Sequence, residues 1–267
     1  MKKLKSLFSR FYLLLVLAFF YLPILYVVVF SFNDSKSLSK FTGFSLQWYE
    51  KMFANRTIME SIYYTVVIAV IATVVSTIVG TIAAIGLSKS RRIVKELTLQ
   101  INNLPMMNPE IVTAIGLMLL FTSLNIKTGF MTLLLAHIAF CIPYVMLSIM
   151  PKLRQMDPNL PEAALDLGAT PWQALIKVIV PEIMPGIVSG ALIAFTMSFD
   201  DFVISFFTTG PGINNISIYV YSMYKRINPS INALSTIIVV MITVVLILVN
   251  VIPLVKERKL KKNEKLG

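Results

Sequence analysis

Long apolar stretches alternate with short polar ones along the chain. Apolar runs occupy positions 11–32, 62–87, 101–121, 130–150, 184–207 and 233–255. Each is near the ~20 residues needed to cross a hydrocarbon core of about 30 Å, and the pattern predicts six transmembrane helices. The third run is the most irregular, because Asn102, Asn103, Pro105, Asn108, Pro109 and Glu110 interrupt its first half. Such a run should break the helix and free backbone carbonyls, which a membrane tolerates only beside a cavity or another helix.

Composition agrees with the pattern. Hydrophobic residues make up 57% of the 267 positions, charged residues 14%, and the mean hydropathy is +0.79. Soluble domains run at roughly 45–50% apolar and about 25% charged. The chain reads as an all-α polytopic membrane protein, with an N-terminal tail, first span and external loop over 1–60, a membrane domain over 61–253 and a basic tail over 254–267.

Charge sets the expected topology. Seventeen of the 24 Lys and Arg residues lie before span 1, between spans 2 and 3, between spans 4 and 5, or after span 6; the alternate loops hold the other seven. The positive-inside bias puts both termini in the cytoplasm. The net charge of +11 sits mostly in the Lys-rich ends, where it meets anionic lipid headgroups, and calls for no nucleic acid. The run from Phe11 to Phe32 is too long for a signal-peptide core and lacks a small-residue cleavage site, so it is expected to stay as the first span. Cys141 is the single cysteine, which excludes an internal disulfide or a Cys-based metal site.

One polar segment, residues 161–181, lies on the cytoplasmic side between spans 4 and 5. Asn159 or Asp157 can cap a short helix that opens with Pro161, and Gly168 suits the left-handed residue that ends it. Thr170, Pro171 and Gln173 then form the start of a second helix with a capping box, expected to run until Val180-Pro181 stops it. Gly168 would also let a partner's backbone approach closely. Glu162 and Asp166 form an i, i+4 acidic pair on the first helix. The residues themselves fit either a docking element or a solvated interfacial connector.

Glu162-Ala163-Ala164, Gly168 and Val178-Ile179-Val180-Pro181 resemble the EAA loop of ABC importer permeases, with its pattern of EAA, three residues, Gly, nine residues and I-x-L-P. Val178 and Val180 depart from it conservatively. Asn108-Pro109-Glu110-Ile111-Val112 and Ser198-Phe199-Asp200-Asp201-Phe202-Val203-Ile204-Ser205, with Thr209-Gly210-Pro211-Gly212 following, are similar to the permease subunits of spermidine/putrescine importers. The resemblance implies a type-1, MetI-like permease core in the bacterial cytoplasmic membrane. It also implies a homologous PotB-like permease subunit, two copies of a PotA-like ABC ATPase docked on the EAA loops, and a PotD-like extracytoplasmic polyamine-binding protein. Glu162, Ala163, Ala164, Asp166, Gly168 and Pro181 would form the ATPase-coupling element. The chain has no G-x-x-x-x-G-K-[ST] loop, so ATP and Mg are expected in the partner ATPase and no catalytic residue here.

Cargo chemistry is sought in the membrane, where ionisable residues are costly and face a cavity or a partner. Of the 13 acids only Glu110, Asp200 and Asp201 lie inside the expected spans, and no Lys or Arg lies clearly inside one. A cationic substrate such as a polyamine would suit them, as would a cation from a partner subunit. On straight helices Glu110 would lie about 14 Å along span 3, and Asp200 roughly 24 Å along span 5 with Asp201 about 100° around the helix from it. Phe199 and Phe202, with Phe195, recur at helical spacing and either stack on the cargo or pack between helices. Gly80-x-x-x-Ala84 reads as a seam for close helix packing. His137, the single histidine, reads as a packed or hydrogen-bonded residue ahead of a proton relay. The loops at 33–61, with Trp48 and Tyr49, and at 207–231, with Asn214, Asn215, Tyr219, Tyr221 and Tyr224, are the expected seats for the binding protein. Alternatives are the same architecture carrying another organic cation or a ferric or thiamine-like solute, and an ion-driven carrier or channel.

Overall fold

A computed structural model describes residues 2–37, 39–223, 228–244 and 247, with side chains described from residue 10 onward. Among the described residues the regular elements are helices, beside one isolated bridge between Asn33 and Phe44. They are α1 (Lys2–Ser31), α2 (Gln47–Ala54), α3 (Arg56–Ser88), α4 (Arg92–Met107), α5 (Glu110–Ser123), α6 (Phe130–Gln155) and α7 (Leu160–Asp166). Then come α8 (Pro171–Ala174), a π-helical turn (Leu175–Ile179), α9 (Val180–Phe199), α10 (Val203–Thr208), α11 (Ile216–Ser222) and α12 (Ser230–Val244). Four stretches are long and apolar enough to span a membrane: Arg10–Ser31, Arg56–Ser88, Phe130–Gln155 and Pro171–Phe199; α4 and α5 together make a fifth, bent by 106°. α12 falls in the expected sixth span, whose remainder, like the basic tail, lies outside the described residues.

The chain divides into two compact units, residues 60–222 and residues 1–59 with 223–267. In the second of these, the polar link after α1 is organised by one buried side chain. Asn33 donates to the carbonyls of Ser37 and Lys40, each at 2.9 Å, and accepts from the Thr42 amide at 2.9 Å, while its own carbonyl takes the Trp48 indole N–H at 2.6 Å. One short asparagine thereby replaces the regular ladder that an irregular loop lacks.

The 60–222 unit is built around α6. Its apolar window is 56% buried, against 28% for the Arg56–Ser88 and Pro171–Phe199 spans. Lipid is as apolar as leucine, so helices in a membrane associate through close packing rather than a hydrophobic gain, and small residues permit that approach. A Cβ on Gly80 of α3 would lie 2.8 Å from the Val145 side chain of α6, and one on Gly190 of α9 would lie 3.1 Å from the Val145 backbone. Ala84 and Ala194 are fully buried in the same core, with Phe140, Ile149, Ile183 and Ile204. The Gly80/Ala84 seam thus holds α3 against α6.

The third expected span is not a straight helix. Pro105 sits inside α4, and the break falls at Asn108-Pro109, where Asn108 is extended (ψ 149°). A residue before proline is driven out of the helical region, and Pro109 has no N–H to continue the ladder, so the chain turns and restarts at Glu110. The expected depth of about 14 Å for Glu110 along a straight span 3 is therefore corrected: it is the exposed first residue of α5.

Replacing Gly190 by leucine should overpack the α6–α9 contact and cost about 1–3 kcal/mol. Gly86→Ala, at a site where a Cβ meets nothing within 4 Å, should be neutral or slightly stabilising. Thermal unfolding of the detergent-purified protein, followed by fluorescence, checks the pair: the leucine variant should melt earlier and the alanine variant should not.

Candidate functional site

Two places concentrate polar chemistry: the element between α6 and α9, and the break between α9 and α10. In the first, Asp157 Oδ1 accepts the Asn159 amide at 2.9 Å, just ahead of α7. α7 then ends in a Schellman turn. The Gly168 N–H bonds the Leu165 carbonyl at 2.9 Å and the Ala169 N–H bonds the Ala164 carbonyl at 3.1 Å, with Gly168 at φ 85°. Thr170 and Gln173 form the expected capping box, with Thr170 N–H to Gln173 Oε1 at 2.9 Å and Gln173 N–H to Thr170 Oγ at 3.3 Å.

Proline does not stop the helix that follows. The Val180 N–H reaches back five residues to the Leu175 carbonyl, and this wide turn carries the chain past Pro181 into α9. The expected stop at Val180-Pro181 is corrected to a through-running helix, Pro171–Phe199. Glu162, Ala163, Asp166 and Gly168 are exposed and Ala164 is half-buried. Beside them Leu167 and Trp172 are 89% and 68% exposed, with Leu160, Leu165 and Ile176 also exposed. The sequence reading missed this apolar patch; its signal was large apolar residues inside a polar segment. Exposed large apolar side chains in the same short segment as two exposed carboxylates suit an interaction surface.

The second place replaces the expected continuous fifth span. α9 ends at Phe199, Asp200 follows it, and α10 begins at Val203. Asp200 and Asp201 are therefore not neighbours on one helix. Asp201 is buried, and its carboxylate accepts the Ile204 N–H at 3.2 Å and the Ser205 N–H at 2.7 Å, the free amides that open α10. Aspartate competes for backbone N–H groups in this way and so favours a helix start over a helix interior. Asp200 is exposed, and its carbonyl accepts from Ser217 Oγ at 3.3 Å.

Phe199 is buried and stacks on Phe195, ring centres 5.6 Å apart. Phe202 packs at 4.9 Å on Tyr221 and 5.5 Å on Phe206. Tyr221, within the expected external loop, lies in α11, and the fold brings it to the break. Among the described residues no hydrogen bond or ion pair joins Glu110 to either aspartate.

Around Asp201 lies a polar cluster. His137 of α6 contacts Ser198 Oγ through Nδ1 at 2.7 Å and Ser205 Oγ through Nε2 at 2.9 Å, and Nε2 lies 3.5 Å from Asp201 Oδ2. Asn215 donates to the Asp201 carbonyl at 2.9 Å and to Ser205 Oγ at 2.8 Å, and accepts the Ile218 N–H at 2.9 Å. Thr132 Oγ lies 2.8 Å from the Thr208 carbonyl, and Thr65 Oγ takes the Ile216 N–H at 2.8 Å. His137 is thus hydrogen-bonded in the core, as its lone position suggested.

Residues 76–262 match the family described as "Binding-protein-dependent transport system inner membrane component". The chain belongs to this family. Family membership sets aside the ion-driven carrier or channel. The spermidine/putrescine transport system permease protein PotC of Haemophilus influenzae is 38% identical over 87% of this chain and 93% of its own length. The putrescine transport system permease protein PotI of Escherichia coli is 38% identical over 85% of this chain and 83% of its own. A PotC homolog of Mycoplasma genitalium is 32% identical over 85% of the chain. In fold, the permease is similar to a bacterial ABC transporter involved in import of the acidic polysaccharide alginate, with a TM-score of 0.72 over 94% of this chain and 96% of that one, at 16% identity. It is a transport subunit with a type-1 permease fold.

Asp201→Ala should remove the acceptor of two buried N–H groups and cost about 1–3 kcal/mol, lowering the melting temperature of the purified protein. Asp200→Asn should stay within about 0.5 kcal/mol. Equal melting of the two variants would contradict the division of roles between the two aspartates.

Proposed function

We propose that this permease is the membrane subunit of an ATP-driven importer that carries polyamines, spermidine or putrescine, across the bacterial cytoplasmic membrane. What carries the reading is the likeness, over 87% of the chain, to a relative named for spermidine/putrescine transport. The chain would pair with a homologous permease subunit, and two ABC ATPase subunits holding ATP and Mg would dock on the paired coupling elements. An extracytoplasmic polyamine-binding protein would deliver the cargo. The excess of Lys and Arg in alternate loops supports an orientation with both termini and the 161–181 element in the cytoplasm.

Coupling follows from the shape of that element. Glu162, Ala163, Ala164, Asp166 and Gly168 would meet the ATPase, with Leu167 and Trp172 filling its cleft, and Pro181 lies just past the wide turn that leads into α9. For cargo, Asp200 and Glu110 are the exposed acids, and Phe202 offers a ring face near Asp200. An ammonium group is held by a carboxylate through charge and by an aromatic face through its quadrupole. Phe199 and Asp201 support this site from within the protein and do not contact cargo in this reading.

Gly168→Asp forces a side chain onto a left-handed residue and puts charge at the docking face. Uptake of radiolabelled spermidine should be abolished while the subunit remains in the membrane and the ATPase no longer co-purifies; normal uptake would overturn the coupling assignment. Asp200→Asn and Glu110→Gln should each weaken uptake roughly tenfold, about 1.4 kcal/mol, with the ATPase still bound. Loss of ATPase co-purification in these variants would make the two acids structural.

A further inference from the structure

We propose that His137 is a positioning residue: its Nε2–H, directed at Asp201 and Ser205, fixes the break between α9 and α10 and so sets where Asp200 stands. The inference rests on the reading of Asp200 as a cargo contact, but it concerns a different residue on a different helix. His137 lies on α6, is 2% exposed, and cannot itself reach bulk solvent.

The proton positions follow from the partners. Asn215 is oriented by the Ile218 N–H, which needs its oxygen, so its amide N–H groups point to the Asp201 carbonyl and to Ser205 Oγ. A neutral imidazole has one N–H and one bare nitrogen. If Nε2 were bare, its lone pair would face the Asp201 carboxylate at 3.5 Å, two acceptors against each other with no water between them. With the proton on Nε2, that N–H is shared between Ser205 Oγ and Asp201 Oδ2, and bare Nδ1 accepts the Ser198 hydroxyl at 2.7 Å. The Asp201 carboxylate, the Asp201 carbonyl and the bare Nδ1 then each face a donor.

The consequence is mechanical. Ser198 is in the last turn of α9, Asp201 is in the break and Ser205 is in α10, so one imidazole ties all three to α6. Asp201 can cap α10 only while its carboxylate is turned inward, and its neighbour Asp200 then stays exposed at the end of α9. An uncapped break would be free to rewind from Asp200 onward; the Asp200 N–H already closes the last turn of α9 on the Thr196 carbonyl at 3.3 Å, so what changes is the direction in which its side chain faces. Holding a contacting group in one place is worth large factors in rate, since a misplacement of about 1 Å can cost roughly a hundredfold.

Two substitutions separate this role from simple packing. A glutamine can place an amide N–H where His137 carries Nε2–H; an asparagine reaches only as far as Nδ1. Both are made in the assembled transporter with its ATPase. The first readout is the KM for radiolabelled spermidine uptake. The second needs no cargo: the rate at which a water-soluble maleimide labels Asp200→Cys, measured against the same complex without that cysteine.

His137→Asn should raise KM about tenfold and change the labelling rate at least about threefold, while His137→Gln keeps both within about twofold. ATPase co-purification should be unchanged in each. Labelling unchanged by the asparagine variant overturns the proposal, as does equal failure of both variants to assemble. A labelling change in complexes whose wild type does not take up spermidine supports the positioning role and removes polyamine as the cargo.

Discussion

Inside a hydrocarbon layer no water is available to accept a hydrogen bond, so every interruption of a helix must find its partners within the protein. The rest of this structure depends on that constraint. The helical path is interrupted at Asn108-Pro109, varied at the π turn of Leu175–Ile179 and interrupted again at Asp200 to Phe202, and each site is settled differently. At Asn108-Pro109 the amide of Asn108 still reaches the Leu104 carbonyl, and Val112 bonds back to the Pro109 carbonyl. The π turn bonds across five residues and keeps the helix whole. At the aspartates the missing bonds are supplied by the side chains of Asp201, Asn215 and Ser217, which is why that place is rich in chemistry.

In the proposed reading those devices join two distant functions. From Pro171 to Phe199 one helical rod of 29 residues runs from the coupling element to the aspartates, about 43 Å at 1.5 Å per residue. Its flank is held against α6 by the close approach at Gly190, and α7, at the other side of the coupling element, follows the end of α6. In the proposed reading, a push on the exposed Leu167 and Trp172 would act on both helices at once. The His137 cluster binds the far end of the same rod back to α6. In the proposed reading, coupling and cargo contact are two ends of one continuous helix.

The turn and the caps of the 161–181 element were legible in the sequence, because their geometry is local. A Schellman glycine and a Thr-Pro-x-Gln cap are decided by residues three to five apart, and both are present as expected. Sequence reading misjudged Pro181 because a proline's effect depends on whether the preceding turn can widen, which no local rule states. It set Asp200 and Asp201 on one helix because apolar periodicity runs through them; the buried partners that draw Asp201 inward, His137 and Asn215, lie 64 and 14 residues away in sequence. The contact of Tyr221 with Phe202 joins residues 19 apart in sequence and is visible only in the tertiary fold.

The central claim is that this permease passes a polyamine inward at the expense of ATP hydrolysed by a partner. Radiolabelled spermidine and putrescine uptake in cells deleted for this gene and for any redundant polyamine importer, with and without the wild-type chain restored, tests it most directly. Uptake lost on deletion and recovered with the wild-type chain is the predicted result. Uptake unchanged by the deletion would contradict polyamine as the cargo.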